Sequence, residues 1–130
     1  MDLLFGDTLM RRLSLLVAAA TLTIAGVAQA HPKLLSASPA ANTTVAKPAQ
    51  IKLQFSEKLM GAFSKADLTM AAMPGMAAMK MPSTAVLAAD GRTLVVTPKG
   101  QLPTGRYTVD WHIVSTDTHK VAGSYAFTVK

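Results

Sequence analysis

Arg106-Tyr107-Thr108-Val109-Asp110-Trp111-His112-Ile113-Val114 sets the period of this fold. Tyr107, Val109, Trp111 and Ile113 recur at every second position. An extended chain therefore gathers them on one face and leaves Thr108, Asp110 and His112 on the other. The same period appears on both sides of this stretch. Ile51-Lys52-Leu53-Gln54-Phe55 alternates apolar and polar, Thr93 to Thr97 is β-branched and apolar, and Ser124 to Lys130 alternates through Tyr125, Phe127 and Val129. Turn signals separate the runs: Ser38-Pro39, Lys47-Pro48, Asp90-Gly91 and Leu102-Pro103-Thr104-Gly105. Asp90-Gly91, between Val86-Leu87 and Thr93-Leu94, predicts a hairpin. Short strands at this spacing predict an all-β protein, an antiparallel sandwich or small barrel. No internal repeat is read from the chain.

The first thirty residues read differently. Met10-Arg11-Arg12 gives a short positive start, Leu13 to Val27 is apolar and small, and Ala28-Gln29-Ala30 carries the A-x-A pattern of signal peptidase. Residues 1–30 are expected to be a secretory signal peptide cleaved after Ala30. The apolar run is too short to span a bilayer comfortably, so no membrane span is expected after cleavage. Met10 begins a more ordinary signal than Met1. The remaining residues, 31–130, suffice for one core.

Thirteen Lys or Arg against seven Asp or Glu give the chain a net charge of +6. The charges are scattered singly, without the basic stripe and aromatic partners that nucleic acid binding requires. The chain has no cysteine. An exported protein without cysteine has no disulfide staple, and any soft metal chemistry it performs must use a ligand other than thiolate.

Methionine supplies such a ligand. Five of the eight methionines, Met70, Met73, Met76, Met79 and Met81, lie in Met70-Ala71-Ala72-Met73-Pro74-Gly75-Met76-Ala77-Ala78-Met79-Lys80-Met81-Pro82. Pro74, Gly75 and Pro82 argue against a regular strand or long helix, so residues 70–82 are expected to be a loop inserted between strands, and long loops in small domains often carry function. Thioether sulfur is soft and suits Cu(I). The competing readings are core filler at helical spacing, against which Pro74 and Gly75 argue, and an apolar partner-binding loop.

Cleavage after Ala30 would leave His31 first in the chain. Its α-amine, with an ordinary pKa of about 8, and its imidazole can chelate one ion together. Pro32 has no backbone N–H, so the chelate stops at two nitrogens and needs further ligands from elsewhere. Asp117-Thr118-His119 offers one carboxylate and one imidazole, on the same side if the segment is extended. The plainer alternatives are an incidental terminal histidine and a turn at Asp117 with an exposed His119. His112 is out of phase with Trp111 and is expected to face solvent in a structural role. Glu57, at the end of a strand, is either a partner that orients a ligand imidazole or an exposed strand-end carboxylate.

These residues together resemble the CopC family of periplasmic copper-resistance proteins, over the whole of residues 31–130. The resemblance rests on His31-Pro32, Phe55-Ser56-Glu57, the methionine segment from Leu68 to Met76, Val109-Asp110-Trp111, Ser115-Thr116-Asp117-Thr118-His119 and the last strand, Gly123 to Lys130. It implies a Greek-key β-sandwich or barrel of cupredoxin-like, immunoglobulin-like topology, with copper sites at opposite ends. The Cu(II) site would use His31, through its amine and imidazole, Asp117 and His119. The Cu(I) site would use Met70, Met73, Met76 and Met81, with Met79 as a further candidate. Trp111 would lie in the core near the Cu(II) end. Two positions depart from the family. Ala78 stands where fully equipped members carry a loop histidine, with Met79 beside it, and His112 stands where an arginine often follows the tryptophan.

The expected function is that of a periplasmic copper carrier in copper homeostasis and resistance. By resemblance its partners are a CopD-like inner-membrane copper transporter and other periplasmic copper-resistance proteins. The alternative is an enzyme, a histidine-brace copper oxidase or monooxygenase. Such a brace needs an open coordination position and an aromatic substrate face. The chain has one Trp and two Tyr, and Asp117 would fill the position. A blue-copper electron-transfer protein needs a cysteine ligand and is excluded.

Overall fold

The computed structural model describes residues 31–130. The expected signal segment and its cleavage after Ala30 lie outside the described residues. Nine strands follow one another: β1 (Leu34–Ser38), β2 (Thr44–Val45), β3 (Ile51–Phe55), β4 (Lys65–Met70), β5 (Met79–Met81), β6 (Ser83–Leu87), β7 (Thr93–Pro98), β8 (Gly105–Val114) and β9 (Lys120–Val129), with a short 3-10 turn at Gly61–Phe63. They form two sheets, of order β1-β3-β7-β6 and β2-β9-β8-β4-β5. The all-β expectation is met in its sandwich form.

Alternation explains the core. On β8, Tyr107, Val109, Trp111 and Ile113 are buried, while Arg106 and His112 are exposed. β3 contributes Ile51, Leu53 and Phe55, β4 contributes Ala66, Leu68 and Met70, and Leu94, Val96, Phe127 and Val129 complete the opposing faces. Each inward residue is flanked along its strand by outward ones, so two half-apolar sheets close on each other. Trp111 packs edge-on against Phe55, with ring centroids 5.1 Å apart. Its ring also lies over Gly123, its partner on β9, where a Cβ would come within 2.1 Å of Trp111 Cζ2. Only glycine admits the ring at that position.

The Asp90-Gly91 hairpin forms as expected, joining β6 to β7 with Leu87 opposite Leu94. Gly91 has φ +71°, the left-handed conformation glycine adopts at no steric cost. Asp90 Oδ1 accepts the backbone N–H groups of Arg92 and Thr93, both at 2.9 Å.

One expectation is corrected. Residues 70–82 are not an irregular inserted loop: Met70 ends β4, Met79–Met81 forms β5, and the two strands pair. Pro74 and Gly75 do not break a strand but make the turn between two. Gly75 has φ +81°, as the third residue of a type II turn requires, and proline at the second position presets the backbone.

Candidate metal centres

β8 and its partners carry the candidate donors to opposite ends of the sandwich. Tyr107 is paired with Met70, while Val114 is paired with Lys120, next to His119. Seven residues of extended chain separate Tyr107 from Val114, about 23 Å. The described residues therefore hold two separate clusters of potential ligands.

At one end lie His31, Asp117 and His119. The last two come together by a turn, not by the alternation of an extended segment. Thr118 N–H donates to Ser115 O at 2.9 Å, and Thr118 has φ +73°. A β-branched residue in the left-handed region is strained. The turn brings His119 Nδ1 to 3.0 Å from Asp117 Oδ2, although Nδ1 makes no hydrogen bond of good geometry. Two donors about 2.0–2.1 Å from a first-row ion, at right angles around it, lie about 2.9 Å apart, so this spacing suits adjacent ligands. The Ser115 hydroxyl donates to the other carboxylate oxygen, Oδ1. That hydroxyl first, and the His119 ring second, hold the Asp117 pKa down at about 2. Asp117 is thus an anion at any physiological pH.

The His31 ring stands edge-on to the His119 ring, with centroids 5.0 Å apart and planes at 81°. Among the described residues no three His, Asp or Glu side chains already converge on one point. His31 is exposed, and rotation about its side-chain bonds is what would close the set. Glu57 is half-buried, next to Ser56 at the end of β3.

At the other end lie the methionines. Met73 and Met76 exchange backbone hydrogen bonds at 2.9 and 2.8 Å across Pro74-Gly75. Leu68 faces Met81, and Met70 faces Met79. All these pairs are symmetric about the turn, so the segment folds back on itself in a single register, and opposed residues share a face. Met70, Met79 and Met81 therefore share one face of β4 and β5, where Met70 and Met81 pack into or against the core while Met79, on the edge strand, stays exposed. Lys80 points the other way and pairs with Asp67 at 3.0 Å. Met70 is 3% exposed, whereas Met73, Met76 and Met79 are 37%, 44% and 47% exposed. A Cβ on Gly105 would lie 3.7 Å from Met70 Sδ and 3.9 Å from Met73 Sδ. The bare Gly105 backbone is the point these two sulfurs share.

Met60 does not belong with them. Its N–H donates to Val114 O at 2.8 Å, at the histidine end. His112 is exposed on the outer sheet face opposite Lys65 and Ala122, apart from both clusters.

Sequence reading missed two things here. Ser115, 1% exposed, orients the Asp117 carboxylate; a serine two residues before Asp117 was the available signal. It also missed that Met70-Ala71-Ala72-Met73 and Met76-Ala77-Ala78-Met79 are the same tetrapeptide on either side of Pro74-Gly75. That repeat is the signature of the hairpin.

Fold and site define a class: a small cysteine-free β-sandwich with nitrogen and oxygen donors at one end and thioethers at the other. The family described as the CopC domain matches residues 34–130. Copper resistance protein C of Xanthomonas campestris pv. juglandis is 52% identical over 103 residues, covering 78% of this chain and 81% of that protein. Copper resistance protein C of Pseudomonas syringae pv. tomato is 47% identical over 114 residues, covering 86% and 90%. The crystal structure of PcoC, a methionine-rich copper resistance protein from Escherichia coli, superposes with a TM-score of 0.72 at 46% identity, covering 78% of this chain and all of that one. The chain belongs to the CopC family. It is a homologue of copper resistance protein C, and its role is copper binding rather than catalysis. The histidine-brace enzyme is thereby set aside. Among the described residues no helix is long and apolar enough to cross a membrane.

Proposed function

We propose that this chain is a periplasmic copper carrier with two sites matched to the two oxidation states of the ion. His31, through its amine and imidazole, Asp117 and His119 hold Cu(II). Met70, Met73, Met76, Met79 and Met81 form the thioether set for Cu(I). Glu57 orients one of the imidazoles. The carrying observation is the separation of hard and soft donors to opposite ends of β8. Imidazole, amine and carboxylate suit Cu(II), and thioethers suit Cu(I). An ion that changes oxidation state loses its preferred ligands at one end and finds them only at the other.

Met79 fills the role left by Ala78. It faces Met70 across the hairpin and is nearly half exposed, so it can approach an ion from the solvent side while Met70 approaches from the core. The exposed Met73, Met76 and Met79 also give a partner access to the ion by stepwise ligand exchange. Residues 1–30 direct export, and cleavage after Ala30 creates the amine ligand. A CopD-like membrane transporter and other periplasmic copper-resistance proteins are the partners.

Spin resonance of the Cu(II) complex tests the histidine site. Protein beginning at His31 is expected to show nitrogen hyperfine structure. Protein with one residue added before His31 is expected to lose tight Cu(II) binding, because its former amine is then an amide. Equal binding by both proteins would overturn the assignment of His31.

A further inference from the structure

Chain ends fray unless something ties them down, and a ligand at a fraying end binds weakly because its ordering opposes binding. The proposed cleavage after Ala30 makes His31 such an end, yet its ring is placed against the His119 ring. Strand pairing does not account for this, since the β1–β3 ladder reaches only to Leu34, opposite Phe55.

Ser56 carries the connection further. Lys33 N–H donates to Ser56 Oγ at 2.9 Å, and Ser56 N–H donates to Lys33 O at 2.8 Å. Lys33 is therefore gripped by both the side chain and the backbone of one residue. Pro32, between Lys33 and His31, is buried, and its ring fixes φ. Ser56 is itself braced. The Arg92 guanidinium donates to Ser56 O, and Arg92 O accepts Phe55 N–H at 2.9 Å. Arg92 is anchored in turn through its own N–H to Asp90 Oδ1 at the β6–β7 turn. An unbroken series of hydrogen bonds thus runs from Asp90 through Arg92 and Ser56 to Lys33, and the chain itself, through the buried Pro32, carries it to His31.

We infer that Ser56, braced by Arg92, is a positioning residue for the Cu(II) site: it holds Lys33 so that His31 emerges opposite His119. This rests on the reading of His31 as a ligand. Alanine at position 56 keeps the backbone bond to Lys33 O but removes the acceptor for Lys33 N–H. Lys33 is exposed, so water replaces that acceptor and the fold is little affected. What is lost is the ordering of residues 31–33 before the ion arrives.

The test uses protein beginning at His31 in three forms, wild type, Ser56→Ala and Ser56→Thr, together with wild type carrying one extra residue before His31. Cu(II) affinity is read by chelator competition and by nitrogen hyperfine structure. Cu(I) affinity at the far end and the thermal midpoint report on the fold. Ser56→Ala is expected to weaken Cu(II) binding about tenfold, as supporting residues behind metal ligands do. Ser56→Thr, which keeps the hydroxyl, is expected to restore it, with Cu(I) affinity and midpoint unchanged throughout. If Ser56→Ala binds Cu(II) as wild type does while the extended protein has lost it, His31 is a ligand but the positioning role of Ser56 is wrong. If the extended protein also binds normally, the His31 assignment fails first and the inference falls with it. A joint fall of Cu(II) affinity, Cu(I) affinity and midpoint in Ser56→Ala would make Ser56 a residue of the fold and overturn the inference.

Discussion

Met73 and Met76 each donate a backbone N–H to the other's carbonyl, and they stand in the same register as Met70 and Met79 three residues further out. The thioethers of this protein are therefore arranged by a β-hairpin. A hairpin fixes which sulfur faces which, so the proposed ligands are partly ordered in the metal-free protein.

Burial divides the methionines into two groups with different expected phenotypes. Met73 and Met76 are exposed, so replacing both with leucine should leave stability within about 0.5 kcal/mol of wild type while weakening Cu(I) binding. Met70 is buried in the core. Met70→Ala should cost about 2–5 kcal/mol, and Met70→Leu less than about 1.5 kcal/mol. Urea unfolding combined with Cu(I) competition checks all three. A large stability loss in the Met73/Met76 double variant would contradict the placement of the hairpin.

Gly123→Ala should disturb Trp111. The added carbon has no room beside the indole, so the ring or β9 must move. A loss of about 1–3 kcal/mol is expected, as for other overpacked cores, with a red shift in Trp111 emission as the ring gains exposure. Unchanged emission and stability would show that the indole does not lie over Gly123.

Thr118 holds the turn between the two candidate ligands Asp117 and His119 at φ +73°. Left-handed backbone costs an ordinary residue about 1–2 kcal/mol, and asparagine tolerates it better. Thr118→Asn should therefore stabilise the metal-free protein by up to about 1 kcal/mol in urea unfolding. A destabilised variant would argue that the threonine side chain has a role beyond the turn.

Two carboxylates make metal-free stability depend on acid. Asp117 is held at about 2, chiefly by the Ser115 hydroxyl, and Asp90 is lowered, chiefly by the Arg92 backbone N–H. Folding lowers both from the ordinary 3.8. Their stabilising effect is thus complete above that value and is lost as pH falls toward their folded values. Urea midpoints should therefore change little on account of these groups down to about pH 5 and decline from pH 4 to 2. The decline should be shallower in an Asp90→Asn, Asp117→Asn double variant. An equally steep decline in that variant would contradict the assignment.

The alternating stretches were the legible part of the fold. Tyr107 to Ile113 and Ile51 to Phe55 show the strand period because each faces a core on one side and solvent on the other. β1 and β4 were harder to read: in Leu34–Ser38 the buried and exposed positions do not alternate cleanly across the irregular pairing of Leu34 and Ser36 with β3, and Lys65–Met70 spends two of its inward positions on Ala66 and Met70. The hairpin at Met70–Met81 was misread because proline and glycine both end strands and make type II turns, and only the pairing of the flanking residues decides between the two. Asp117 and His119 lie side by side through a turn at Thr118, where the sequence suggested an extended segment. The contributions of Ser115, Ser56 and Arg92 come from contacts between segments distant in the chain or around a turn, which strand periodicity does not reveal.

The two proposed copper sites are independent and lie at opposite ends of one sandwich. The most direct test is a two-by-two titration: protein beginning at His31 or extended by one residue, each with the methionine hairpin intact or with Met73, Met76 and Met79 changed to leucine. Cu(II) and Cu(I) affinities are measured in all four. The extension is expected to abolish tight Cu(II) binding alone, the leucine changes to weaken Cu(I) binding alone, and the doubly altered protein to show the sum of the two effects. Loss of both affinities from either change alone would mean a single shared site and would contradict the account.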